Sequence, residues 1–162
     1  GRIQDYVKDS IVLDLYAGSG NLAIEALSNG AKYAYLNDLS NDAIKVINNN
    51  INSLNIKDVS ISKKDASVFI KELMDANKVI DIIFLDPPYD TSEIDKVLTL
   101  INNNPKILSN DALIVCETTH SINYEKYDKL IIYKSKKYSN CNIMFNCHIN
   151  GCRFCCIINK TR

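Results

Sequence analysis

Asp86-Pro87-Pro88-Tyr89 places a carboxylate, two prolines and an aromatic ring directly after a strand-like apolar run at residues 82–85. Two consecutive prolines fix φ and remove two backbone N–H donors, so neither helix nor sheet continues through them. What remains is a stiff lip offering a carboxylate, proline carbonyls with free lone pairs and an aromatic face. A planar base with an exocyclic –NH2 needs that set, two acceptors for the amine hydrogens and a ring to stack on. Asp86, Pro87, Pro88 and Tyr89 are the candidate catalytic residues.

A second motif, Asp14-Leu15-Tyr16-Ala17-Gly18-Ser19-Gly20, follows the apolar run Ile11-Val12-Leu13 and precedes a helical pattern of Leu22, Ile24, Ala26 and Leu27. Strand, glycine turn and helix is the context in which such a loop binds a ligand. Gly18 and Gly20 let the chain turn sharply and approach a ligand where a Cβ would collide. Asp14 ends the strand with its carboxylate over the loop. Asp38 ends the next apolar stretch about 20 residues after the loop, where an acid reaches a pair of ribose hydroxyls. A nucleoside-containing cofactor is expected here.

Residues 18–23 also satisfy the dinucleotide fingerprint G-x-G-x-x-A, which raises a nicotinamide dehydrogenase as a rival. Asp14 speaks against it, because a negative charge near a pyrophosphate is unfavourable and near a cationic cofactor favourable. A dehydrogenase also has no use for Asp-Pro-Pro-Tyr at the end of the fourth strand. S-adenosylmethionine, a sulfonium with a ribose, an adenine and an amino-acid tail, satisfies both observations.

The elements that must position these residues alternate along the chain. Strands are expected at 11–16, 32–37, 58–62, 80–85, 112–117, 129–135 and 141–146, and helices at 20–29, 40–54, 66–77 and 92–103. Ser40 is a good N-cap, with Asp42 in the first turn and Ala43, Ile44, Ile47 and Ile51 on one helical face. Asn29-Gly30 ends the first helix, with glycine where a left-handed residue is wanted. This alternation predicts an α/β fold with a mostly parallel seven-stranded sheet and helices on both faces. Asp14, Asp38 and Asp86 then fall at strand ends on one edge, beside the topological switch. Asp65 belongs to the same edge, entering a helix at Asp65-Ala66. It is either an N-cap for Ser67 and Val68 or an acceptor for an adenine amine, and both roles can coexist.

A chain of 162 residues is long enough for one domain with a real core. A hydrophobic content of 46% and a charged content of 23% are ordinary for soluble domains. No apolar run approaches a membrane span and no signal peptide opens the chain, so the expected compartment is the cytoplasm. The first residue is Gly1 rather than Met, and a native N-terminus is expected to be missing. Net charge is zero but unevenly spread. Residues 1–119 carry 11 Lys/Arg against 17 Asp/Glu, whereas residues 120–162 carry 8 against 2. The basic third suits phosphate contact, or else forms a solvated face around Lys134, Lys136 and Lys137.

Residues 14–31, the Asn-rich helix at 44–54 and Asp86-Pro-Pro-Tyr89 together resemble the RsmD family, bacterial enzymes that methylate N2 of a guanine in small-subunit ribosomal RNA. The glycine motif alone marks any class I S-adenosylmethionine-dependent methyltransferase, and the tetrapeptide narrows this to amino-group methylation. The similarity covers about residues 3–146. The resemblance implies that Asp14, Gly18 and Gly20 hold the methionine portion, Asp38 the ribose and Asp65 the adenine, with Tyr16, Leu39 and Ala66 also in the cofactor site. Asp86 and Tyr89 hold the target base. Its implied partner is ribosomal RNA or the small ribosomal subunit. No membrane partner is expected, and the chain is expected to be a monomer. Family members usually begin with a basic hairpin and a helix that closes over the cofactor, of which only a trace is expected around residues 3–7.

The family normally ends near the strand expected at 141–146, so 1–146 reads as the methyltransferase domain and 147–162 as a Cys-rich basic tail, disordered or aberrant. Cys116 sits in an apolar strand and reads as core. Cys141, Cys147, Cys152, Cys155, Cys156 and His148 crowd the end, but one CxxC without a well-spaced second pair is a weak zinc signal, and no metal is assigned. His120 reads as a bystander in a loop. Tyr124, Tyr127, Tyr133 and Tyr138 interleave with lysines, as base-stacking residues or as ordinary packing.

The expected chemistry is direct methyl transfer to an amine. Rivals are a DNA adenine-N6 methyltransferase, which would need a duplex-reading domain, and a truncated module that binds nucleic acid or protein without catalysis. Protein-glutamine methylation would favour Asn in place of Asp86.

Overall fold

A computed structural model of the chain describes residues 6–88, 91–118, 122–142 and 148–160. Four helices, α1 (Asn21–Ser28), α2 (Asn41–Ser53), α3 (Ala66–Asp75) and α4 (Thr91–Asn103), alternate with five strands. These are β1 (Ile11–Asp14), β2 (Tyr33–Asn37), β3 (Val59–Ser62), β4 (Ile80–Leu85) and β5 (Leu108–Thr118). β6 (Leu130–Asn142) and β7 (His148–Lys160) follow. Among the described residues the strands form one sheet in the order β3-β2-β1-β4-β5-β7-β6. The pairs from β3 through β5 are parallel, and β7 runs antiparallel to both β5 and β6. Chain order turns back between β1 and β4, which makes that boundary the switch point. The expected α/β architecture is therefore the one observed.

Period-two alternation along the central strands builds a core on each face. Leu13, Ile83 and Leu85 pack with Phe69, Ile70 and Leu73 of α3 and Leu98 and Ile101 of α4. On the opposite face Val12, Ile82 and Phe84 meet Ala23 and Ala26 of α1 and Ile47 and Ile51 of α2. Cys116 is buried in β5, as its apolar setting implied. Among the described residues, no helix is long and apolar enough to cross a membrane.

Cap chemistry falls where the residue types demand. Ser40 accepts from the Ala43 N–H at 3.3 Å to start α2, and Gly30 takes φ +100° after α1. Tyr6 and Val7 are helical and Val7 is fully buried, while residues 3–5 of the expected helix trace lie outside the described residues.

The C-terminal part departs from expectation. Cys141 and Asn142 finish β6, and the rest of the strand placed at 141–146 lies outside the described residues. Of the segment read as a disordered or aberrant tail, His148–Lys160 are not disordered but supply β7, with Ile114 opposite Ile158, Val115 opposite Ile157 and Cys116 opposite Cys156. The physical reason lies in Phe154-Cys-Cys-Ile-Ile158, an apolar run with a β-branched end and hence a good strand former, which the count of cysteines obscured. Tyr127 also proves to be core, 3% exposed with its hydroxyl donating to Asp95, rather than a stacking platform. Lys126 pairs with the same Asp95. His120 lies outside the described residues.

Candidate active site

Asp14 closes β1, its backbone paired with Leu36 of β2 on one side and Phe84 of β4 on the other. Asp38 and Asp86 each stand two residues beyond those partners, so the three acids share the carboxyl edge of the sheet at the switch point. Asp14 is only 1% exposed. Burial lifts its carboxyl to a pKa of about 7; the Tyr16 N–H, donating to Oδ1 at 3.3 Å, opposes the rise, and the charges of Asp86 and Asp38 add to it.

The glycine loop takes the left-handed conformations its sequence predicts, with φ +57° at Gly18 and +82° at Gly20. A Cβ on Gly20 would stand 3.0 Å from Leu36 Cδ2, whereas one on Gly18 would meet nothing within 4 Å. Gly20 is thus needed for packing, and Gly18 borders open space that a ligand can enter. Hydrogen bonds to neighbouring elements hold the loop. Ala17 N–H donates to Asn37 O at 2.9 Å, Gly18 N–H to Asp38 Oδ2 at 2.9 Å, and Asn50 Nδ2 to Ser19 O at 2.9 Å. Asp38 Oδ1 accepts from Ser40 N–H at 2.9 Å. Leu39 beside it is 65% exposed, an apolar side chain at the site's rim.

Asp65 is the N-cap of α3, its Oδ1 accepting from Ser67 N at 2.9 Å and Val68 N at 3.3 Å. The capping role is therefore observed, and Oδ1 carries it. Ala66 is buried, its methyl in the core beside Phe69 and Ile70, so what it offers a ligand is backbone. Next to it Ser67 Oγ is buried without a hydrogen-bond partner. Replacing Ser67 by alanine should therefore raise unfolding stability by about 1 kcal/mol, measured by urea denaturation, because a desolvated hydroxyl is removed.

Asp86 and Pro87 are half-buried after β4 and Pro88 is exposed, while Tyr89 lies outside the described residues. The lip leads into α4, whose Glu93 Oε2 accepts from the Tyr16 hydroxyl at 3.2 Å. Burial, then the charge and hydrogen bond of Glu93, hold the Tyr16 phenol well above its ordinary range, so it stays a donor. Tyr16 thus ties the glycine loop to the helix that follows the lip.

Asn37 and Asn50 brace the loops and were not singled out in the sequence. Asn37 stands in an apolar strand pattern and Asn50 in a run of asparagines, and neither carries a local signal of its tertiary partner.

A switch-point cluster of acids, a glycine turn after β1 and an antiparallel strand beside β5 define the class I S-adenosylmethionine-dependent methyltransferase fold. The family described as Conserved hypothetical protein 95, the RsmD family, matches residues 1–146, and the chain belongs to it. The ribosomal RNA small subunit methyltransferase D of Buchnera aphidicola subsp. Acyrthosiphon pisum (strain APS) is 32% identical over 155 residues, covering 93% of this chain and 75% of the relative. A putative rRNA methyltransferase of Bacillus subtilis (strain 168) is 32% identical over 128 residues, covering 78% of this chain and 69% of its own. The solved structure of a putative methylase from Haemophilus influenzae shares the fold, with a TM-score of 0.77, 22% identity, and coverage of 99% of this chain and 84% of that one.

Proposed function

We propose that this chain is an S-adenosylmethionine-dependent methyltransferase that modifies the exocyclic N2 amine of a guanine in small-subunit ribosomal RNA. The observation that carries the reading is the meeting of Asp14, Asp38 and Asp86 at the switch point, where the proline lip leaves β4. Three acids suit a cationic cofactor and disfavour a pyrophosphate. The open space beside Gly18 admits such a ligand, so the residues present fit the group. Asp14, Gly18 and Gly20 would hold its methionine portion, Asp38 the ribose and Asp65 the adenine, with Tyr16, Leu39 and the Ala66 backbone lining the site. When bound, the cofactor supplies an electrophilic sulfonium methyl. The RNA substrate is supported by the relatives' names. The reading extends to a cytoplasmic compartment and a monomeric chain.

A guanine amine is a poor nucleophile because its lone pair is delocalised into the ring. Asp86 and the Pro87 carbonyl accept its two N–H bonds, turn the lone pair out of conjugation and stabilise positive charge as it develops on nitrogen. Holding the nitrogen in line lowers such barriers by several kcal/mol. Tyr89 stacks on a base that is flipped out or already unpaired. The amine proton leaves to water or to Asp86.

The full-length protein, small-subunit ribosomal RNA and S-adenosylmethionine should together yield N2-methylguanosine on mass analysis of nucleosides. Exclusive appearance of N6-methyladenosine would overturn the assignment.

Asp38→Ala should weaken S-adenosylmethionine binding, measured calorimetrically. Two charge-assisted bonds to the ribose are lost, worth roughly 1.5–3 kcal/mol each at most and not additive. The Gly18 and Ser40 N–H groups lose their acceptor as well. Unchanged affinity in a folded variant would count against the ribose role.

A further inference from the structure

Asn37 is 0% exposed at the end of β2, a primary amide inside an otherwise apolar strand. Its Nδ2 donates to Leu15 O at 3.2 Å and to Lys64 O at 2.9 Å, and its Oδ1 accepts from Lys64 N–H at 3.1 Å. Its own carbonyl accepts from Ala17 N–H at 2.9 Å. Both amide hydrogens are used, and each bond crosses to a different strand exit. Leu15 adjoins Asp14, Lys64 adjoins Asp65, and Asn37 itself adjoins Asp38. One buried side chain therefore joins the backbone neighbours of all three acids assigned to the cofactor, through bonds that run to the exits of β1 and β3. A leucine would fill the same space in the core without spending a desolvated amide.

We infer that Asn37 is a positioning residue for the cofactor, setting the spacing of the Asp14, Asp38 and Asp65 loops so that one extended ligand can reach all three. The inference rests on the cofactor reading given above. Buried networks of this kind rigidify their surroundings only when every member is satisfied, and this one is. Its loss should therefore appear in cofactor affinity rather than in turnover.

Asn37→Asp is the informative variant, because at pH 8 it sets a carboxylate against the Leu15 and Lys64 carbonyls, whereas a protonated carboxyl can donate to one of them. Calorimetric titration of the full-length variant with S-adenosylmethionine should give a Kd at least tenfold above wild type at pH 8. The ratio of variant to wild type should shrink below threefold at pH 5.5, and kcat at saturating cofactor should stay within threefold of wild type. Asn37→Ser, which removes the reach without adding charge, covers the case in which the aspartate variant does not fold at pH 8. It should show the same split between cofactor affinity and turnover, without the recovery at low pH. Wild-type affinity in a folded variant would overturn the inference alone. A parallel fall in kcat, Kd and thermal midpoint would reduce Asn37 to a general strut and overturn it too. Failure of the wild-type protein to bind S-adenosylmethionine would overturn the cofactor reading, and the inference with it.

Discussion

Replacing Asp86 by alanine should cut methylation turnover by on the order of 10²-fold or more and leave S-adenosylmethionine affinity nearly unchanged. The division of labour follows from where the strands end. β1, β2 and β3 deliver the acids assigned to the cofactor, and β4 delivers only the lip. Asp86 as an acceptor matters most while nitrogen becomes positive, so its removal falls on the transition state and not on the ground state. Because its charge helps to hold Asp14 in the protonated form, cofactor binding near neutral pH should if anything improve slightly. Tyr89→Ala should act on the same step, through loss of base stacking worth about 1–3 kcal/mol. Kinetics with ribosomal RNA at saturating cofactor decide the matter. Wild-type kcat in Asp86→Ala would mean that the lip does not orient the amine.

Asp14→Asn should separate stability from function. The carboxyl of Asp14 ionises near pH 7 in the folded chain and at an ordinary 3.8 when unfolded. Between those values the folded state holds a proton that the unfolded chain has released, so stability falls as pH rises through the window and levels off above about 7. Three pKa units correspond to on the order of 4 kcal/mol, chiefly the cost of burying the charge, with repulsion from Asp86 and Asp38 adding to it. The asparagine variant escapes this cost while keeping an acceptor for the Tyr16 N–H. Its urea midpoint should match wild type near pH 4, exceed it increasingly up to about pH 7 and hold that margin at pH 8. Cofactor affinity should move the other way, falling about 10–100-fold at pH 8, because the charge-assisted bonds to the cationic methionine portion are gone. In the wild type the same titration should weaken cofactor binding as pH drops below 7, by up to tenfold per unit, since only the ionised form attracts a cation. A variant that gains no stability at pH 8 would show that the buried carboxylate is not the liability described here.

Those residues were legible because their signals are local. Asp14, Gly18, Gly20 and Asp38 sit at a strand end and a turn whose backbone demands are written in neighbouring residues, and consecutive prolines announce their own break. Asp65 showed its capping role for the same reason, since a helix start is visible within four residues. Asn37 was invisible, because its partners are 22 and 27 positions away along the chain and a strand pattern reports only which face is apolar. β7 was misread for a different reason. Cysteine carries chemistry and apolar bulk at once, and setting the cysteines aside as a weak zinc signal in an aberrant tail concealed a run of strand formers.

The bond from Gly18 to Asp38 also has a spectroscopic consequence. The chain holds five glycines, so selective ¹⁵N-glycine labelling gives a spectrum sparse enough to assign by substitution. An amide donating to a carboxylate at 2.9 Å is shielded from exchange and shifted downfield as long as that bond is intact. A ribose that claims Asp38 must share or take this acceptor. The Gly18 resonance then reports arrival of the nucleoside directly, with no RNA present and no catalysis needed.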